Sequence, residues 1–179
     1  MKKIITVLCA FAAAISFSIS YAQGPQGPSM QGRQGEPAAP GLEYCLRLNV
    51  ALGQSYSVGE TPKGMRNIVP ITGGTFEGNL PGKELKGEII PGGADYQMSS
   101  GGRTEIEAIY CIKTDDGVII HVRNCGIIAM GEGMYFRCAP KFEAPADSKY
   151  AWMNNSLFLC QPSFGGAGGG ITLDVWRVK

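Results

Sequence analysis

Apolar and polar residues alternate along most of the chain beyond residue 41. In LEYCLRLNV, Leu42, Tyr44, Leu46, Leu48 and Val50 share one face, with Glu43, Arg47 and Asn49 on the other. TEIEAIYCIKT sets Ile106, Ala108, Tyr110 and Ile112 against Glu105, Glu107 and Lys113. GITLDVWRV separates Ile171, Leu173 and Val175 from Thr172, Asp174 and Trp176. Successive side chains of a strand point to opposite faces, so each run predicts a half-buried strand. No window of about a dozen residues past residue 22 carries a helical stripe free of glycine and proline.

Glycine and proline punctuate these runs. VPITGGTFEGNLPGKELKGEIIPGGADYQ, residues 69–97, holds seven glycines and three prolines in 29 positions. It reads as four short strands, RNIVPITGG, TFEGNL, KGEIIPGG and ADYQM, with glycines serving bulges and tight corners. Asp115-Asp116-Gly117 predicts a hairpin turn, because Asp-Gly supplies positive φ angles, and its carboxylates are read as turn formers. Gly131-Glu132-Gly133 predicts another. About eight or nine short strands predict an all-β fold, a single closed antiparallel β-barrel without exposed edges. A flattened β-sandwich is the alternative.

A phosphate cradle fails on spacing. Three residues separate Gly78 from Gly82-Lys83 where a P-loop needs four, and Glu84 stands where Ser or Thr belongs. Neither Gly73–Gly78 nor Gly165–Gly170 matches G-x-G-x-x-G, so no dinucleotide loop is present and no cofactor is expected.

The chain opens Met1-Lys2-Lys3, runs through an apolar stretch from Ile4 to Phe17 and reaches Ser20-Tyr21-Ala22. A basic start, a short apolar run and small residues before the cut describe a bacterial signal peptide, residues 1–22, cleaved after Ala22. The run is shorter than the roughly 20 residues of a membrane span. The mature chain is therefore expected in the periplasm or secreted, with no membrane contact after cleavage. Residues 23–41, QGPQGPSMQGRQGEPAAPG, read as a flexible linker, leaving 42–179 as the barrel domain.

The chain carries 16 basic and 15 acidic residues, and loss of Lys2 and Lys3 leaves 14 against 15. Scattered, nearly balanced charge gives no footprint for nucleic acid. The expected partner is a small-molecule ligand or substrate, or another protein, a second copy of the chain included. Five cysteines follow the leader: Cys45, Cys111, Cys125, Cys138 and Cys160. No C-x-x-C occurs, so zinc knuckles and thioredoxin-type sites lack their spacing. Disulfides are permitted outside the cytoplasm. A hairpin turning at Gly131-Glu132 would set Cys125 opposite Cys138, a candidate bridge whose alternative is two free thiols. His121 is the only histidine, which excludes a histidine-built metal site, and no metal is expected. A Ser-His-Asp triad would also lack its Gly-x-Ser-x-Gly elbow.

Five blocks follow one another along the domain: VGETPKGMRNIVPITGGTFEG, LKGEIIPGGADYQ, TDDGVIIHVRNCG, YFRCAPKFEA and YAWMNNSLF. In that order, from Leu42 to Val178, they resemble the bacterial and fungal family called domain of unknown function 3237. The resemblance implies a single small barrel, similar in outline to the calycin and allene-oxide-cyclase barrels, and no established activity. The family pattern is met at positions that include Arg66, Asp95, Tyr110, Tyr135, Arg137, Trp152 and Asn154. It also implies an arginine just before Tyr110 and a tryptophan just after Asp95, where this chain has Ile109 and Tyr96.

Within those blocks, turns and core packing explain Asp95, Tyr110, Arg137, Trp152 and Asn154 least well, with Arg66 and Glu107 beside them. The expectation is that they converge on one cavity. Asp95, Tyr110 and Arg137 are the catalytic candidates, and Arg66, Glu107, Trp152 and Asn154 the ligand-binding ones. For Asp95, after Gly-Gly-Ala, the alternative is a carboxylate that caps a turn. An arginine facing inward would need a carboxylate partner or an anionic ligand. Two function classes follow. One is a barrel holding an apolar or aromatic small molecule in its lumen. The other is a cofactor-independent lyase, isomerase or cyclase: Asp95 or Glu107 moves a proton while Arg137, Tyr110 and Asn154 stabilise an enolate-like oxygen. A structural role, with the linker as spacer, is a third.

Overall fold

The alternating runs fold into nine antiparallel strands. They are β1 Leu42–Leu52, β2 Tyr56–Thr61, β3 Gly64–Leu80, β4 Lys83–Ser100, β5 Arg103–Thr114, β6 Ile119–Met130, β7 Met134–Glu143, β8 Phe158–Gly166 and β9 Gly170–Val178. The structure, a computed structural model, describes residues 35, 37–80, 83–166 and 169–179. The expected leader and most of the expected linker lie outside the described residues. Strand order is β1-β9-β8-β7-β6-β5-β4-β3-β2, and β1 also pairs with β3. Eight strands therefore close on themselves as an antiparallel barrel, and β2 hangs on β3 outside the ring. That closure rules out the flattened sandwich.

Inward residues fill the barrel. Leu46, Leu48 and Val50 from β1, Ile106, Tyr110 and Ile112 from β5, and Leu173 and Val175 from β9 are buried. β7 alternates cleanly, with Phe136, Cys138 and Phe142 inside and Tyr135, Arg137 and Lys141 outside. Each large apolar side chain taken fully from water contributes about 2 kcal/mol, so the lumen is the hydrophobic core. Between β7 and β8 a short 3-10 helix, Ala151–Asn155, caps one end with buried Met153, next to buried Tyr150.

Three local expectations are corrected. In β1 the ladder shifts between Tyr44 and Leu46, so Cys45 turns inward and Tyr44 outward instead of sharing the face of Leu46. A bulge inserts one residue and reverses the side-chain phase. Gly64–Leu80 and Lys83–Ser100 form two long strands, not four short ones. β3 and β4 stay paired on both sides of a bend at Gly73–Gly74 and Pro91–Gly93. Gly73 and Gly74 take φ +139° and +135°, which bends the strand where the β3–β4 register shifts. In the hairpin of β6 and β7, Met130 pairs with Met134, which sets Cys125 against Ala139 and Cys138 against Gly126. Cys125 is exposed outside and Cys138 buried inside, so no Cys125–Cys138 bridge exists, and all five described cysteines are free thiols. A shift of one residue moves every side chain to the other face.

The Asp115-Asp116-Gly117 turn forms as expected, with Gly117 at φ +88°. Asp116 accepts a 2.7 Å hydrogen bond from Tyr150 Oη and lies 2.9 Å from Lys149 Nζ, which fastens the turn to the capping segment.

Candidate functional site

The outward face of β3–β8 forms a groove of about 950 Å³. Register explains its wall. Arg66 of β3 pairs with Met98 of β4, Met98 with Glu105 of β5, Glu105 with Ile127 of β6 and Ile127 with Arg137 of β7. Adjacent strands lie about 4.8 Å apart, and four such steps along the curved sheet lead from Arg66 to Arg137. Met98, Glu105 and Ile127 lie on the floor between them, and Tyr96 and Tyr135 line the same groove.

The charge in the groove is unbalanced. Lys63, Arg66, Arg103, Arg123 and Arg137 face two carboxylates, Glu105 and Glu107. Both carboxylates are engaged: Arg103 Nη2 reaches Glu105 Oε1 at 2.7 Å, and Arg123 Nε donates to Glu107 Oε1 at 2.7 Å. Arg66 Nη1 donates to the Tyr96 carbonyl at 3.3 Å. Arg137 Nη1 donates to the Phe136 carbonyl at 2.7 Å, and its guanidinium sits 5.6 Å from the Tyr135 ring centre. Among the described residues no carboxylate pairs with Lys63, Arg66 or Arg137.

Three of the seven expected site residues, Arg66, Glu107 and Arg137, line this groove; four do not. Asp95 points into the barrel, opposite buried Ala108. Its Oδ2 accepts from Gln97 Nε2 at 2.8 Å and its Oδ1 from the Glu107 amide at 3.1 Å. Burial pushes the Asp95 carboxyl up, and these two hydrogen bonds offset part of the rise. Asn67 Nδ2 extends the chain by donating to Gln97 Oε1 at 3.3 Å. Tyr110 lies in the core, and burial raises its phenol well above the usual range. Asn154 is structural: it accepts from the Ala144 amide at 2.8 Å and donates to the Ala144 carbonyl at 2.9 Å. Trp152 packs on Phe158 at 6.1 Å between ring centres, under Lys83 Nζ at 4.7 Å. The set therefore divides among the outer groove, the interior and the capped end.

Sequence reasoning passed over Arg103, Arg123, Tyr96 and Tyr135 as site residues. The signal was available for the first two: outward positions on one strand face meet outward positions on the next. Tyr96, where the family resemblance implied tryptophan, turns out to stand in the groove wall.

Fold and groove together define a small closed antiparallel barrel whose lumen is packed and whose concave, basic surface lies outside. The chain belongs to the family described as protein of unknown function (DUF3237), whose sequence profile matches residues 40–178. A UPF0311 protein of Rhodopseudomonas palustris strain TIE-1 is 33% identical over 138 residues, covering 67% of this chain and 87% of that one. A crystal structure of a conserved protein of unknown function from Rhodopseudomonas palustris aligns with a TM-score of 0.70 at 29% identity, over 80% of this chain and 100% of that chain. A β-barrel-like protein from Acinetobacter baumannii aligns with a TM-score of 0.67 at 29% identity, over 82% of this chain and 100% of that chain.

Proposed function

We propose that the protein binds a small organic anion with an aromatic or apolar body, and that it does so in the outer groove. The observation that carries this reading is the placement of Arg66 and Arg137 at the two ends of one cross-strand row, with no carboxylate partner among the described residues. Guanidinium groups recognise carboxylates and sulfonates by paired hydrogen bonds, and Tyr96, Tyr135, Met98 and Ile127 supply apolar contact between them. A ligand in the lumen draws less support, because Leu46, Ile112, Ile120, Val122 and Val175 occupy that space at 0% exposure. Proton-transfer catalysis draws less support as well: both oxygens of Asp95 and Oε1 of Glu107 are already engaged.

The probe is 1-anilinonaphthalene-8-sulfonate, an aromatic anion, compared with the uncharged N-phenyl-1-naphthylamine. Fluorescence titration of the purified protein is expected to show saturable binding of the sulfonate. The double variant Arg66→Gln, Arg137→Gln should bind it at least ~10-fold more weakly, since loss of a charge-assisted bond is worth ~1.5 kcal/mol or more. Affinity for the uncharged analogue should be unchanged, and an unchanged melting temperature would confirm that the variant folds. Equal sulfonate affinity in wild type and variant would remove the groove from the binding reading.

A further inference from the structure

The seam between β7 and β8 is unlike the others in the barrel. Among the described residues, Cys138↔Cys160 is the only register pair that joins these strands, whereas β5 and β6 share eleven from Arg103↔Ala129 to Lys113↔Ile119. Composition explains part of it. Continuing the register places Pro162 opposite Phe136 and Pro140 opposite Phe158, so a residue without an amide hydrogen stands on each side of the cysteine pair. Proline cannot donate to a ladder, and central strands avoid it for that reason.

Both cysteines point into the barrel, at 4% and 2% exposure. Directly opposed residues of an antiparallel pair have Cα atoms about 4.5–5.5 Å apart, inside the roughly 4.4–6.8 Å window of disulfides. Gly126 faces Cys138 from β6, and a Cβ there would collide with Cys138 Sγ, so the missing side chain makes room for the sulfur. None of the other described cysteines has a cysteine opposite it. Cys111 pairs with His121 and Ile90, Cys125 with Glu107 and Ala139, and Cys45 is the extra residue of the β1 bulge.

We propose that Cys138 and Cys160 are a disulfide site, and that the bond closes the one seam that backbone hydrogen bonds leave thin. The oxidant is a small-molecule or protein disulfide, RS–SR. One cysteine, as thiolate, attacks it and releases RS⁻ to form a mixed disulfide. The second then attacks that mixed disulfide and releases the other RS⁻. The two cysteine sulfurs are oxidised, RS–SR is reduced to two RSH, and the two cysteine protons end on them. In the closed barrel both sulfurs are buried, at 4% and 2% exposure, and out of reach of RS–SR. The bond therefore forms while the seam is open, during folding.

The test is oxidative refolding. The chain is unfolded and reduced, refolded in mixed reduced and oxidised glutathione, alkylated and digested without reduction. The expected result is a linked peptide pair joining Cys138 to Cys160, with a melting temperature higher than that of the reduced protein by on the order of 10 °C. Cys138→Ser and Cys160→Ser should each lose the link, while Cys45→Ser, Cys111→Ser and Cys125→Ser should keep it. Alkylated Cys138 and Cys160 in the refolded wild type, or either one linked to a different cysteine, overturns the site. A linked peptide with an unchanged melting temperature overturns the clamp. Neither result bears on anion binding in the groove.

Discussion

Asp95 shows how one residue reads differently from inside and outside the fold. Following Gly92-Gly93-Ala94, it offered a carboxylate either for a turn or for a proton transfer. Alternation along β4 carries it to the same face as buried Leu85 and Ile89, so its side chain points inward, opposite Ala108. There it holds the Glu107 amide and the Gln97 side chain. Burial raises its pKa, so the folded protein holds the proton more tightly than the unfolded chain does. Between the ordinary aspartate value of about 3.9 and the raised native value, the native state binds more protons. Stability from this group is thus full below about pH 3.9 and is lost as pH rises through the native pKa. Urea denaturation across that window should show the stability of wild type falling relative to Asp95→Asn as pH rises, then running parallel to it. A difference independent of pH would show that the carboxyl is not desolvated.

At the scale of elements, bulges and glycine bends decide which face each residue joins. Gly74 carries φ +135°, and a Cβ added there would collide with the Asn49 carbonyl of β1. Gly74→Ala combines a backbone conformation disfavoured for L-residues with a clash against a strand that closes the barrel. It should cost about 3 kcal/mol, or roughly 10 °C in melting temperature. Gly131→Ala, in the β6–β7 turn with open space around it and no positive φ, should change melting by less than ~2 °C and serves as control. A thermal melt that left Gly74→Ala equal to this control would show that β1 does not approach β3 as closely as described.

For the molecule as a whole, closure is complete but uneven. β3 joins β1, β2 and β4, while β7 meets β8 through one register pair flanked by proline positions. Native-state hydrogen exchange of the reduced protein should therefore find faster exchange for β8 amides facing β7 than for the amides between β5 and β6. Equal protection across both ladders would mean that the seam is no weaker than its neighbours. Alternation over Ile106–Ile112 and Ile171–Val175 determined the strand class and the inward faces, because burial on one side of a pleat leaves a period of two in any sequence. Asp115-Asp116-Gly117 determined its turn through the positive φ at Gly117. The five blocks determined the family. The groove was decided only by tertiary structure: Arg66 and Arg137, 71 residues apart in the sequence, share a row because four successive registers align. The Cys125–Cys138 expectation failed for the same reason, since one residue of turn geometry exchanges the faces and leaves Cys160, from another hairpin, as the partner. Periodicity fixes faces within a strand, but which faces meet depends on register, and register is set by long-range pairing across the closed barrel.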